Sequence, residues 1–330
     1  MESYENISYS ISIPSMLVQI YIPDQFSESY MPFLLFRNIC ERVLSRQPGL
    51  IEKVECIQTI NDIYVSPETV VLMNMYDITL CDAKDYIRQN VFSKDVTFLL
   101  INTEHWELRG AKEIFEILHK REKKNIHIIE YNVINYEVLL ESYRNVSVLF
   151  LPLLYDKHIE SYYHDNIQSQ FIPWNHKDID ILFYGGISDR RRVVLDDLKT
   201  RWNLHIVDSH HGVSNNELCR LIERSKVVVN VLYYEFNSMF DYYRNALLLS
   251  NNAVVVIETP KRTNMKHEYW LNELETHILN AEYASIASLI DQTLVKNQDE
   301  IRAITERQYA WFTRVSMEDV LVPFFKQLRM

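Results

Sequence analysis

Short apolar runs alternate along the chain with longer amphipathic stretches. The first half carries five strand-like runs: Met16–Ile22, Val70–Tyr76, Val96–Asn102, Ile126–Tyr131 and Val146–Pro152. Between them, helix-like patterns cover Pro32–Ser45, Asp82–Val91, Gly110–Lys123 and Tyr136–Tyr143. Strands that are apolar along nearly their whole length are buried on both faces, which is the signature of parallel strands covered by helices. Short strands separated by helical segments read as βαβ units. The periodicity stops between Leu151 and Lys177, a polar and aromatic stretch with two prolines, and then restarts. The second half gives DIDILFYGG, a helix over Ser188–Arg201, LHIVDS, a helix over Asn215–Arg224, KVVVNVLYY, a helix over Met239–Ser250 and AVVVIE. Helices follow beyond Glu282, with Pro323 read as an interruption near the end.

The pattern predicts an α/β protein of two Rossmann-like domains facing each other across a cleft. The expected divisions are an N-terminal domain over 1–155, a linker and cleft wall over 156–177, a second domain over 178–305, and a terminal helix over 306–330 that packs back on the first domain. A chain of 330 residues is long enough for two cores. In open α/β sheets ligands bind beyond the carboxyl ends of the strands, so the residues following each strand are the ones to inspect.

Composition narrows the chemistry. The net charge is −11, from 34 basic and 45 acidic residues. A general nucleic-acid binder needs a basic surface to displace counterions, so no nucleic-acid partner is expected. The four cysteines (Cys40, Cys56, Cys81, Cys219) form no CxxC pair and suggest neither a zinc site nor a disulfide framework. Together with the lack of a signal-like N-terminus or an apolar run of spanning length, they lead to a cytoplasmic expectation without a transmembrane segment. The sequons at Asn6 and Asn145 then read as chance. Glycine is scarce, at five residues, so the pair Gly185-Gly186 stands out.

That pair follows the strand beginning at Asp180 and precedes Ser188, a helix cap, and then Arg190, Arg191 and Arg192. Two glycines let the backbone approach a ligand closely, the helix N-terminus offers free N–H groups to a phosphate, and arginines add charge-assisted hydrogen bonds. The plainer alternative is a tight turn with solvated arginines. Neither GxGxxG nor a Walker loop is present, which disfavours dinucleotide and P-loop enzymes. A second group comprises Tyr233, Tyr234 and Glu235 after a strand, followed by Asp241 and Arg244 three apart on one helical face, and Glu258 at the end of the next strand. These suit ribose or sugar hydroxyls and a phosphate, or else form an ordinary surface ion pair. In the first half, Glu104 and His105 follow a buried strand and could serve as a general base or merely as a cap. Glu130-Tyr131-Asn132 reads as N-capping. The aromatic residues Trp106, Trp174, Tyr233 and Tyr234 are candidates for stacking on a sugar ring. Asp178-Ile179-Asp180 has the letters of a DxD metal motif but opens a buried strand, so no metal site is expected.

The order NTEHW, IIEYN, VLFLPLLYD, DIDILFYGG with its arginines, SKVVVNVLYYE, FDYYRNALLLS and AVVVIE resembles bacterial and giant-virus surface-glycan glycosyltransferases of the two-Rossmann GT-B architecture, over about Thr97 to Glu258. The resemblance implies transfer of a sugar from a nucleotide-diphosphate sugar, a UDP- or GDP-sugar, to a glycan or glycoconjugate, with no cofactor and no metal. It implies that Gly185, Gly186, Arg190 and Arg191 approach the donor diphosphate. Tyr233, Tyr234, Asp241, Arg244 and Glu258 would surround the nucleotide and sugar, while Glu104 and His105 would face the acceptor. Two departures stand: Glu235 and Asp241 are six apart where many retaining members have glutamates eight apart, and the first domain lacks a glycine-rich loop. A catalytically inactive glycan-binding or assembly subunit of the same fold is therefore the alternative, with an unrelated two-domain enzyme such as a sugar-nucleotide epimerase third.

Overall fold

The computed structural model describes residues 15–22, 31–75, 95–102, 109–121, 125–151, 155–157, 172–208, 213, 215–235, 242–259, 273 and 275–328. Its first sheet is built from β1 (Met16–Tyr21), β2 (Ile51–Ile57), β3 (Thr69–Asn74), β4 (Thr97–Asn102), β5 (Ile126–Glu130) and β6 (Ser147–Phe150), in the spatial order β2-β1-β3-β4-β5-β6. All its pairings are parallel. Helices α1 (Met31–Leu44), α2 (Arg109–Arg121) and α3 (Val133–Ser142) lie between strands. The second sheet comprises β7 (Ile179–Tyr184), β8 (Leu204–Val207), β9 (Ser225–Asn230), β10 (Val255–Glu258) and β11 (Leu279–Ala281), again wholly parallel, in the order β11-β10-β9-β7-β8. Its helices are α4 (Asp189–Lys199), α5 (Asn215–Arg224), α6 (Tyr242–Ser250), α7 (Ile286–Leu294), α8 (Gln298–Phe312) and α9 (Met317–Leu328).

The two sheets share one plan. In each, the first strand is flanked by the second on one side and the third on the other, so the chain reverses direction across the sheet between β1 and β3 and again between β7 and β9. A reversal of this kind opens a crevice at the carboxyl ends of the strands. The expected α/β architecture of two parallel sheets is thus observed.

Burial explains the strands. Every residue of β3 and β10 is buried, as near-continuous apolar runs in a covered parallel sheet require. One core layer joins the first sheet to α2 through Ile114, Phe115 and Leu118. Another joins the second sheet to α4, α7 and α8 through Leu195, Ile290 and Ile301. The remaining core is continuous between the halves, with Ile39, Cys40 and Val43 of α1, Leu247 of α6 and Met317, Leu321 and Phe325 of α9 in one cluster. Helix α9 packs against α1, and the N–H of Met317 donates to the carbonyl of Tyr155 (2.8 Å). Arg42 of α1 and buried Asp156 form an ion pair in the same region.

Three features differ from the sequence expectations. β2 has no counterpart among the predicted runs because Glu52, Lys53 and Glu55 interrupt its apolar pattern; it pairs only with β1, and such an edge strand tolerates charge. β11, three residues long, is too short to give a pattern. Pro323 lies inside α9 rather than ending it. The break falls at 313–316, where Ser316 and Asp319 cap one another: Ser316 N–H and Oγ meet the Asp319 carboxylate at 2.9 and 2.7 Å, and Asp319 N–H reaches Ser316 Oγ at 3.3 Å. The expected helix at 82–91 lies outside the described residues. No helix among the described residues is long and apolar enough to cross a membrane.

Candidate functional site at the second switch point

β7 ends at Tyr184 and the chain turns through Gly185, whose φ of +128° belongs to the region glycine enters without strain. The turn is pinned by Gly185 N–H donating to Val207 O at the end of β8 (2.9 Å). Space also demands glycine here. A Cβ at Gly185 would sit 2.8 Å from Arg244 Nη2 and 3.6 Å from Arg191 Nη1. Two guanidinium groups therefore converge over one backbone position.

Ser188 caps α4, its hydroxyl accepting the N–H of Arg191 at 3.3 Å. The first turn of α4 then reaches across the crevice to the segment leaving β9. Ser188 Oγ donates to Tyr233 O (3.2 Å), Arg190 Nη1 to Leu232 O (3.0 Å) and Arg191 Nε to Val231 O (2.7 Å). Three successive carbonyls on one side are thus held by three side chains on the other. Arg191 Nη1 also donates to Gly186 O (2.7 Å), tying both glycines to the arginine cluster. Arg191 is buried, and its guanidinium stands 5.1 Å from the centre of the Tyr233 ring.

Arg190 and Glu258 form a two-pronged ion pair. Nη1 meets Oε2 at 2.6 Å, and Nη2 contacts Oε1. The Glu258 carboxylate is almost fully buried and also accepts Leu232 N–H at 3.0 Å. The Tyr283 ring lies 3.9 Å from the Arg190 guanidinium, and its hydroxyl donates to Arg190 O. Arg244 leaves α6, lies 4.8 Å from the Tyr184 ring centre and donates to Asn230 Oδ1 (3.3 Å) at the end of β9. Tyr233 and Tyr234 are exposed at the rim, edge to face, with ring centres 4.8 Å apart.

Of the residues singled out in the sequence, Gly185, Gly186, Arg190, Arg191, Tyr233, Tyr234, Arg244 and Glu258 come together around this crevice. Asp241, Glu104, His105 and Trp106 lie outside the described residues. Trp174 is corrected: its ring is buried in the second-domain core, where it packs with Ile181 and Phe183, so it presents no face to a sugar. Asp178 is taken by Arg224, with Nε to Oδ1 at 2.9 Å, and Asp180 by Lys226 at 2.7 Å and Asn203 N–H at 3.0 Å. Among the described residues, no group of three or more His, Cys, Asp or Glu could hold a metal ion.

One group in the first domain, expected from the sequence only to cap a helix, is a buried polar cluster. Glu130, at the end of β5, is fully buried with Asn102, Asn132 and Asn135. Its Oε2 accepts Asn102 Nδ2 (2.7 Å) and Asn135 Nδ2 (3.3 Å), and its Oε1 accepts Asn132 N–H (2.9 Å). Burial pushes its pKa up to about 8, against the pull of these N–H donors and that of Tyr131. The capping role expected of this stretch falls to Asn132, whose Oδ1 accepts Ile134 and Asn135 N–H. The available signal was a glutamate closing an apolar strand, the same signal that drew attention to Glu258.

No protein-family model and no curated protein matches the chain. Solved structures do. The N-terminal domain of trehalose-6-phosphate phosphatase from Candida albicans aligns over 96% of this chain and 97% of its own, with a TM-score of 0.57 at 9% identity. T4 phage BGT, in complex with UDP and Mn2+, aligns over 95% and 99%, with a TM-score of 0.57 at 11% identity. The DNA-modifying enzyme beta-glucosyltransferase, solved with and without uridine diphosphoglucose, aligns over 95% and 97%, with a TM-score of 0.52 at 11% identity. A likeness over nearly the whole of both chains at such low identity is one of fold: this chain has the two-Rossmann GT-B architecture.

Proposed function

We propose that the chain is a glycosyltransferase that moves a sugar from a nucleoside-diphosphate sugar to a glycan or glycoconjugate acceptor without a metal. The observation that carries this reading is the convergence of Arg191 and Arg244 over Gly185, beside the N-terminus of α4. In the reaction, the bond between the sugar C1 and the β-phosphate oxygen breaks, and its electron pair leaves with the diphosphate. The acceptor hydroxyl oxygen bonds to C1 and surrenders its proton to a base. Charge develops on the diphosphate, so preorganised donors are most valuable there. Guanidinium groups and helix N–H groups supply that stabilisation directly. Tyr233 and Tyr234, exposed at the rim, offer a ring to the nucleoside or sugar, and the family resemblance assigns Asp241 to donor binding. Glu104 and His105 serve the acceptor side as base.

UDP is the first nucleotide to test, because two of the fold neighbours were solved with UDP or uridine diphosphoglucose. One neighbour acts on DNA, but a chain of net charge −11 repels a polyanion, which supports an uncharged acceptor. The test is UDP release from UDP-glucose, with and without a glycan acceptor, in EDTA and again with Mn2+. Acceptor-stimulated release in EDTA is expected. Release that requires Mn2+ overturns the metal-free part of the reading. UDP binding without any release favours the inactive glycan-binding alternative.

A further inference from the structure

We propose that Glu258 is a positioning residue of the donor crevice: with Arg190 it fixes the backbone over 231–233 and so sets where the rings of Tyr233 and Tyr234 stand, without touching the nucleotide itself. This departs from the role the family resemblance implies for Glu258, which is contact with the nucleotide or sugar. It rests on the proposed reading of the crevice as a nucleoside-diphosphate site.

β9 ends at Asn230. Four of the backbone groups that follow are paired by side chains rather than by a neighbouring strand. The carbonyls of Val231, Leu232 and Tyr233 accept from Arg191, Arg190 and Ser188, and the N–H of Leu232 donates to Glu258. Backbone groups at buried positions need such partners. Both oxygens of Glu258 are thereby occupied: Oε1 accepts Arg190 Nη2, while Oε2 accepts Arg190 Nη1 at 2.6 Å and Leu232 N–H at 3.0 Å. With 3% of its side-chain surface exposed, the carboxylate turns no face to a ribose or sugar hydroxyl. The fork holds Arg190 so that Nη1 also reaches Leu232 O at 3.0 Å, and the Tyr283 ring packs 3.9 Å from the same guanidinium. Apolar side chains of similar volume would stabilise a core as well as a buried ion pair does. They could neither accept Leu232 N–H nor hold Arg190 against Leu232 O, so the pair serves placement. What it places is the next residue. Tyr233 is 42% exposed, its ring centre lies 5.1 Å from the Arg191 guanidinium, and Tyr234 meets it edge to face. Rings held in position before a ligand arrives lose little further freedom on binding, which raises affinity.

The test measures UDP affinity of the full chain well below its melting temperature, in a cycle of Glu258→Gln and Tyr233→Ala. A glutamine at 258 turns its amide N–H groups toward Arg190 or Leu232 N–H and opens the fork. Each single variant is expected to bind UDP about tenfold more weakly, a loss typical of a stacking ring. The double variant should bind about as weakly as Tyr233→Ala alone, because a ring that is absent cannot be misplaced. A general loss of stability would not produce that coupling. Losses that multiply, or parent-like affinity in either single variant, overturn the proposal. Comparison of UDP with 2′-deoxy- and 3′-deoxy-UDP separates placement from contact: the ratios of affinities should agree within about twofold between parent and E258Q, since a site that bonds a hydroxyl discriminates strongly against its loss. Ratios that collapse in E258Q show that the carboxylate touches the ribose, which also overturns the proposal. Where E258Q does not fold, Arg190→Lys keeps the charge beside Glu258, lacks the fork and should show the same coupling to Tyr233. Hydrogen exchange decides independently of any ligand. In E258Q or R190K the amides of 231–234 should exchange faster while β4 and β5 are unchanged, and unchanged exchange over 231–234 overturns the positioning role. A parent that binds no nucleoside diphosphate defeats the donor-site reading alone and leaves the exchange result to judge Glu258.

Discussion

Gly185 concentrates two demands in one residue, a left-handed φ and the close approach of Arg244. Gly185→Ala should cost about 1–3 kcal/mol of stability, because the backbone strain remains even where the flexible arginine moves aside. It should also weaken nucleotide binding. Chemical denaturation and UDP titration check both, and a variant as stable as the parent would show that the turn relaxes freely. Glu130 gives a pH signature. Its pKa is raised from 4.5 to about 8 on folding, so between those values the native state holds a proton that the unfolded chain has released. Its contribution is fully present below 4.5 and is lost as pH rises through about 8. The parent should therefore lose stability from pH 5 to 8 more steeply than E130Q does. Parallel stability curves would contradict a buried carboxyl that titrates late. Composition made the glycine legible, because glycines are scarce, whereas the donors around Glu130 are asparagines that a sequence pattern assigns to caps.

At the scale of elements, the first turn of α4 is bound to the segment after β9 by Ser188, Arg190 and Arg191. The pair of Arg190 and Glu258 closes the same connection from β10. Breaking a buried pair on one side leaves an uncompensated charge, so Arg190→Ala or Glu258→Ala alone should each cost about 3–5 kcal/mol, and the double variant clearly less than their sum. Additive losses would show that the two side chains act separately. Much of this level was legible. Apolar runs marked β3, β4, β5, β7, β9 and β10, and the Gly-Gly-x-Ser-x-Arg-Arg order marked the turn into α4. What sequence did not carry was direction: Arg190 and Arg191 read as groups facing a ligand, yet much of their hydrogen bonding is spent on Val231, Leu232, Gly186 and Glu258. β2 was missed because an edge strand has no need of an apolar outer face.

At the scale of the molecule, two sheets of the same strand order are joined by a core to which α1, α6 and α9 contribute. Helix α9 completes that core with Met317, Leu321 and Phe325, all essentially without exposure. Removing residues 317–330 should strip about 2 kcal/mol or more for each of these side chains and leave a chain that binds hydrophobic dyes and unfolds without cooperativity. A truncated chain with a sharp, parent-like transition would show that α9 is dispensable. The two-domain plan was legible because the βαβ alternation stops and restarts around 151–177. A terminal helix lying back on the first domain was expected, and α9 packs on α1, nearly three hundred positions earlier; which helix it would meet is what no local pattern encodes.

The most direct test of the central claim is the melting temperature of the parent chain and of Arg244→Ala, each with and without UDP. A ligand bound only by the folded state stabilises it by about 2.7 kcal/mol at a hundredfold excess over its Kd. A UDP-induced rise in the parent that is lost in Arg244→Ala, with the ligand-free variant melting close to the parent, is the predicted result. No rise in the parent with UDP or with any other nucleoside diphosphate would contradict a donor site at the β7–β9 crevice.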